Sequence, residues 1–101
     1  MASRLELQAK LEEILGSRNV YFQPPESLKM NYPAIRYVRS PIRNEFADNS
    51  VYMQYHRYEL TLIDHDPESE FVSVLSQLPT CRHDRHYHSS GLNHDVFTIY
   101  Y

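Results

Sequence analysis

Between residues 3 and 15 the apolar positions recur at helical spacing, with Leu7, Leu11, Ile14 and Leu15 on one stripe and Ser3 and Glu6 placed as a capping box, so an amphipathic helix is expected. Gly16 is placed to stop it. Asn19 to Phe22 reads as a short strand, broken at once by Gln23-Pro24-Pro25, and the stretch on to Pro33 reads as a loop held extended by its prolines. Ala34 to Ser40 alternates, with Ile35 and Tyr37 on one face and Arg36 on the other, which is the pattern of a half-buried strand. Pro41, Asn44, Asp48, Asn49 and Ser50 surround a lone Phe46, so residues 41 to 50 read as a long polar connection.

A long strand is expected from Tyr52 to Asp64, with Tyr58, Leu60 and Leu62 facing one way and Arg57, Glu59 and Thr61 the other, leaving that second side wet. At this length its first half has room to project from the domain body. Asp66-Pro67-Glu68 reads as the opening of a second helix, with Asp66 as N-cap and Pro67 at the first helical position. Its buried stripe would be Phe71, Val72, Val74, Leu75 and Leu78, and Pro79 would end it. Two more strands follow, Cys81 to His88 and His94 to Tyr100, joined through Ser89-Ser90-Gly91. The run Val96 to Tyr101 is apolar on both faces, which suits either a central strand or an edge covered by a neighbour. The order α-β-β-β-α-β-β predicts an α+β fold, an antiparallel sheet of about four to five strands with two helices packed on one face. Residues 1 to 101 are read as one domain, since 101 residues suffice for one core and not for two.

Composition sharpens this picture in two places. Only two glycines stand against six prolines, and nine tyrosines accompany four phenylalanines. Tyrosine suits half-buried strands and contacts between subunits, because its ring packs while its hydroxyl still reaches water or a partner. The net charge of −3 comes with no basic tract, so the footprint of a sequence-specific nucleic-acid binder is missing. No apolar run approaches the ~20 residues that span a bilayer, and the amino-terminal stretch lacks the apolar core of a signal peptide. The expected place is the cytosol, or something assembled there, with no membrane partner.

Candidate chemistry is sparse. Cys81-Arg82-His83-Asp84-Arg85-His86-Tyr87-His88, with His94 nearby, is the one concentration of metal-ligand types, and strand alternation would put His86 and His88 on one face and His83 on the other. Arg82 and Arg85 among them disfavour a divalent cation, so His83, His86, His88 and His94 are read as surface or interface histidines rather than a metal site. Lone Cys81, after a helix-ending Leu78-Pro79, reads as a small buried hydrophobe, because no glycine-rich turn offers an oxyanion hole. Asp64, Asp66, Glu68 and Glu70 lack the glycine and terminal glutamate of a calcium loop. The expectation is a non-enzymatic chain with no cofactor. A small metal-dependent hydrolase, resting on the histidines alone, is the enzyme alternative.

Three segments together resemble the tail terminator or tail-completion proteins of long-tailed bacteriophages and prophages. They are Asn19-Val20-Tyr21-Phe22-Gln23-Pro24-Pro25-Glu26 with Tyr32-Pro33-Ala34-Ile35; Tyr58 to Asp64 followed by Asp66-Pro67-Glu68-Ser69; and Leu78-Pro79-Thr80-Cys81, Asp84-Arg85 and Leu92 to Tyr101. The resemblance implies a virion subunit, assembled in the host cytoplasm, that forms a ring, usually sixfold, on the head-proximal end of the tail tube. Such a ring stops tube polymerisation and offers a surface to the head connector or neck proteins. Phage DNA would meet it only while passing through the channel. The histidine-rich residues 81 to 90 depart from what such relatives lead one to expect, and a head-closure or neck subunit is the alternative within the same virion. On the ring reading, the connection from Arg39 to Val51 touches a neighbouring subunit or lines the channel, the rival being a mobile surface loop. The residues expected at that contact are Arg39, Ile42, Arg43, Phe46, Tyr52, Tyr55, Tyr100 and Tyr101.

Overall fold

In the computed structural model, residues 4–40, 43–47 and 50–101 are described, and the side chains of residues 4–40 and 56–101. Helix α1 runs over Arg4–Leu15 and buries Leu7, Leu11 and Leu15 along the predicted stripe, while Ser3 of the expected capping box lies outside the described residues. Gly16 ends it with φ +75, its amide donating to Glu12 O at 2.9 Å, a left-handed turn that any Cβ would strain.

Strands β1 (Val20–Phe22), β2 (Ala34–Arg39), β5 (Arg57–Asp64), β6 (Cys81–Ser89) and β7 (Leu92–Tyr100) form one sheet in the order β1-β2-β5-β7-β6. The β1–β2 pair is parallel and the others antiparallel, so the expected antiparallel sheet is a mixed one. The long loop 23–33 carries the chain back to the end of the sheet where β1 began, and that return makes the pair parallel. Tyr37, Leu60, Leu62, Phe97 and Ile99 face Leu7, Leu11 and Leu15 of α1 and Leu75 of α2 in one core, with both helices on the same face of the sheet. Of the two placements open for the apolar run at 96–100, the central strand is the one adopted, with β7 between β5 and β6.

Several local expectations are corrected. The polar connection is itself a hairpin, β3 (Arg43–Ala47) against β4 (Ser50–Tyr55), and the long strand expected from Tyr52 is broken at His56 into β4 and β5, which belong to different sheets. The apolar positions Val51, Met53 and Tyr55 give way to Tyr58, Leu60 and Leu62, so the alternation changes phase across His56, where one continuous strand would have to turn its apolar side to the other face. The second face of β5 is wet at Arg57 and Glu59 only; Thr61 and Ile63 are buried on it. Helix α2 spans Glu70–Ser76 with Ser69 as its N-cap, three residues later than Asp66 as N-cap suggested. The Asp66 carboxylate instead accepts from the Glu68 amide at 2.9 Å, closing a separate turn before the helix. The shortened helix buries Leu75, half-buries Phe71 and Val72, and leaves Val74 exposed.

Candidate functional site

The sheet places the expected contact residues around the root of the β3–β4 hairpin. Arg39 ends β2 opposite Tyr58, and Arg57 opens β5 opposite Tyr100. The Ser40 amide donates to Arg57 O at 2.7 Å, and the Tyr101 amide to His56 O at 2.9 Å. Backbone hydrogen bonds therefore tie the residues that flank the hairpin, and Tyr101, to one end of the inner strands. Arg39 is exposed; Tyr100 and Tyr101 are half-buried and border a small cavity of about 180 Å³ with Leu78, Pro79 and Lys10. Arg43 and Tyr55 pair across the hairpin, as do Phe46 and Val51 beside a bulge, and Tyr52 lies on β4. The side chains of Arg43, Phe46, Tyr52 and Tyr55, and Ile42 altogether, lie outside the described residues. Arg39, Tyr100 and Tyr101 are thus brought together.

At the β6 edge of the sheet residues 82 to 89 are exposed, and the histidines do not divide between faces as alternation predicts. A bulge between His83 and Arg85 adds Asp84 to β6, so His83 sits opposite Phe97 while His86 sits opposite Asp95 and His88 opposite Asn93, all three on the helix-covered face. His83 Nε2 lies 3.0 Å from Asp95 Oδ1, and His86 Nε2 3.3 Å from Asn93 Oδ1. Asn93 in turn donates to His65 O at 3.3 Å, joining the strand pair to the loop before α2. Tyr87 stacks on His94 on the other face, with ring centroids 4.6 Å apart and nearly parallel planes. Among the described residues no group of three or more His, Cys, Asp or Glu side chains is arranged to hold a metal ion.

Asp84 accepts from Arg82 Nε at 2.9 Å and from the Thr98 hydroxyl. Desolvation pushes its carboxyl up, but the Thr98 hydrogen bond and then the Arg82 hydrogen bond and charge outweigh this and leave it below its ordinary value. Burial, reinforced by the Asp84 charge, pushes the Cys81 thiol up to about 11 against the weaker pull of a backbone hydrogen bond. A thiol shifted this way ionises less readily than a free one.

A groove of about 410 Å³ lies between the turn Pro67–Ser69, helix α2 and the β6–β7 pair, bordered by Glu68, Ser69, Val72, His86 and Asp95. Asp95 is 7% exposed, and the buried Ser69 hydroxyl has no hydrogen-bond partner. Neither residue stood out in the sequence. The available signal was that Asn93 and Asp95 share the parity of Phe97 and Ile99, placing polar side chains on the core face where the apolar run stops. No protein-family model, curated protein or solved structure matches the chain.

Proposed function

We propose that the protein is a ring-forming structural subunit of a long-tailed phage virion, a tail terminator that caps the head-proximal end of the tail tube, halts its growth and meets the head connector. The observation that carries this reading is the β3–β4 hairpin. It forms a two-stranded sheet apart from the five-stranded one, and such a hairpin is at best marginally stable alone in water. The long dimension of 50 Å, against 23 Å for the other two, exceeds the roughly 30 Å that a nine-residue strand covers. An arm of this kind gains most by packing on a neighbour, and a contact between two different patches closes into a ring or runs on as a filament. The resemblance of residues 19–26 and 32–35, 58–64 and 66–69, and 78–81, 84–85 and 92–101 to tail terminators supports the ring and its place on the tube.

The test is light scattering and electron microscopy of the purified chain, followed by binding to isolated tail tubes and to DNA-filled heads. Rings that bind tubes support a terminator. Rings that bind heads alone would move the protein to head closure, and a strict monomer binding neither would overturn the proposal.

A further inference from the structure

Charge is segregated across the sheet. On the face turned away from the helices, Arg36, Thr61, Val96 and Arg85 pair in one row from β2 to β6, with Arg57 beside Tyr100 and Arg82 beside Thr98 on the same side. All four arginines are exposed. The acids among them are Glu59 and Asp84, and Asp84 already accepts from Arg82 and Thr98. Tyr21, Tyr87 and Tyr100 share this face, and its five strands hold no lysine. Surfaces that meet other proteins are enriched in tyrosine and arginine and depleted in lysine, so this composition is that of a contact face rather than a solvated one. The loop 23–33 borders its Ile63 corner and leaves Arg36 exposed.

The helix layer on the other side has the opposite sign. Glu6, Glu12 and Glu13 on α1 and Glu70 on α2 outnumber Arg4 and Lys10, and Arg4 is held by the Phe22 ring and the Tyr37 hydroxyl. At 3.6 residues per turn Glu13 lies opposite the buried Leu11, and Glu70 opposite the buried Leu75, so both point away from the sheet. The most exposed large apolar side chains among the described residues are Leu5 at 67%, Val74 at 44% and Tyr87 at 42%, the first two on the helices and the third on the arginine face. One copy cannot bring these two surfaces together, because they are opposite sides of the same sheet. A polyanion such as DNA also suits arginine and tyrosine, but it leaves Leu5 and Val74 in water. We infer that the helix-free face of the sheet docks on the α1–α2 layer of a second copy of this chain, a contact between two different patches that pairs the charge excesses and covers all three apolar side chains. The inference rests on the ring reading for the existence of a second copy and adds which surfaces meet.

Charge exchange tests it. Arg36→Glu/Arg85→Glu turns the sheet face acidic, and Glu13→Arg/Glu70→Arg turns the helix layer basic. Each double variant alone should need a concentration about tenfold higher or more than wild type to assemble, because like charges then meet at every contact. Mixing the two in equal amounts should restore assembly at wild-type concentration, since in an alternating ring every sheet face meets a helix layer of opposite sign. Thermal melts confirm folding, and Arg85→Glu or Glu13→Arg alone replaces a double variant that melts early. If wild type assembles while either folded variant assembles equally well, or while the mixture stays unassembled, the face contact is wrong and the ring stands. A duplex oligonucleotide that binds wild type and not the sheet variant, with assembly unchanged in both variants, would give the face to nucleic acid instead. A wild type that is monomeric at every concentration and on tail tubes overturns both.

Discussion

The Tyr37 hydroxyl donates to Gln8 Oε1 at 2.5 Å and accepts from Arg4 Nη1 at 3.1 Å, while its ring is fully buried in the centre of the sheet. Gln8 also donates to Val20 O at 2.9 Å, and the Arg4 guanidinium lies 4.4 Å from the centre of the Phe22 ring. One tyrosine thus pins α1 to β1 and β2 at once. Burial raises its hydroxyl above the usual tyrosine value despite the opposing hydrogen bond and charge of Arg4, so the group stays a neutral donor.

Tyr37→Phe removes that donor and leaves the Gln8 and Arg4 side chains to find other partners. The expected loss is about 1–2 kcal/mol of folding stability. Urea denaturation followed by circular dichroism measures it, and an unchanged midpoint would show the hydroxyl to be energetically idle.

Asp84 gives a pH dependence. Its folded pKa lies below its ordinary value of 3.8, so its contribution is present above that value and is lost as pH falls through the folded pKa. Asp84→Asn should therefore be less stable than wild type at pH 7, and the two should converge in strong acid. Denaturation midpoints between pH 2 and pH 7, taken in parallel, give the comparison.

Cys81 should resist alkylation. With its thiol held up to about 11, iodoacetamide labelling of the folded protein at pH 8 should be slow and should accelerate on unfolding, where the thiol returns to about 9. Equal rates in native and denaturing buffer would contradict the burial assigned to it.

Phe46→Ser tests the arm. On the ring reading the subunit melts as wild type does and assembles poorly, with about 2 kcal/mol lost per subunit contact. Unchanged assembly would return the hairpin to solvent, and a large fall in melting temperature would place Phe46 in the subunit's own core.

Local rules made the scaffold legible. Helical spacing of Leu7, Leu11 and Leu15, a glycine stop at Gly16, and alternation at Ile35 and Tyr37 are each satisfied within a few neighbouring residues, so the chain states them directly. The Ser90-Gly91 turn is of the same kind: both residues take positive φ, the mirror-image turn that joins two antiparallel strands with two residues. The strand ends that carry Arg39 and Tyr100 lie at the same end of the sheet, but which strands bring them there was not legible in the sequence.

Long-range pairing decided the rest. Whether β4 and β5 are one strand or two depends on where the hydrogen-bond partners of residues 50–64 lie, and the shift of apolar positions across His56 does not by itself say which sheet each half joins. The extra residue at Asp84 exists only in register against Phe97 and Val96, yet it moves His86 and His88 to the face that His83 occupies. The groove needs that shift together with the late start of α2, which leaves Ser69 buried beside Asp95 rather than inside a helix. Spacing along a chain records what one element can bury, whereas a groove is made by the register between elements, and register is settled only when the whole sheet is paired.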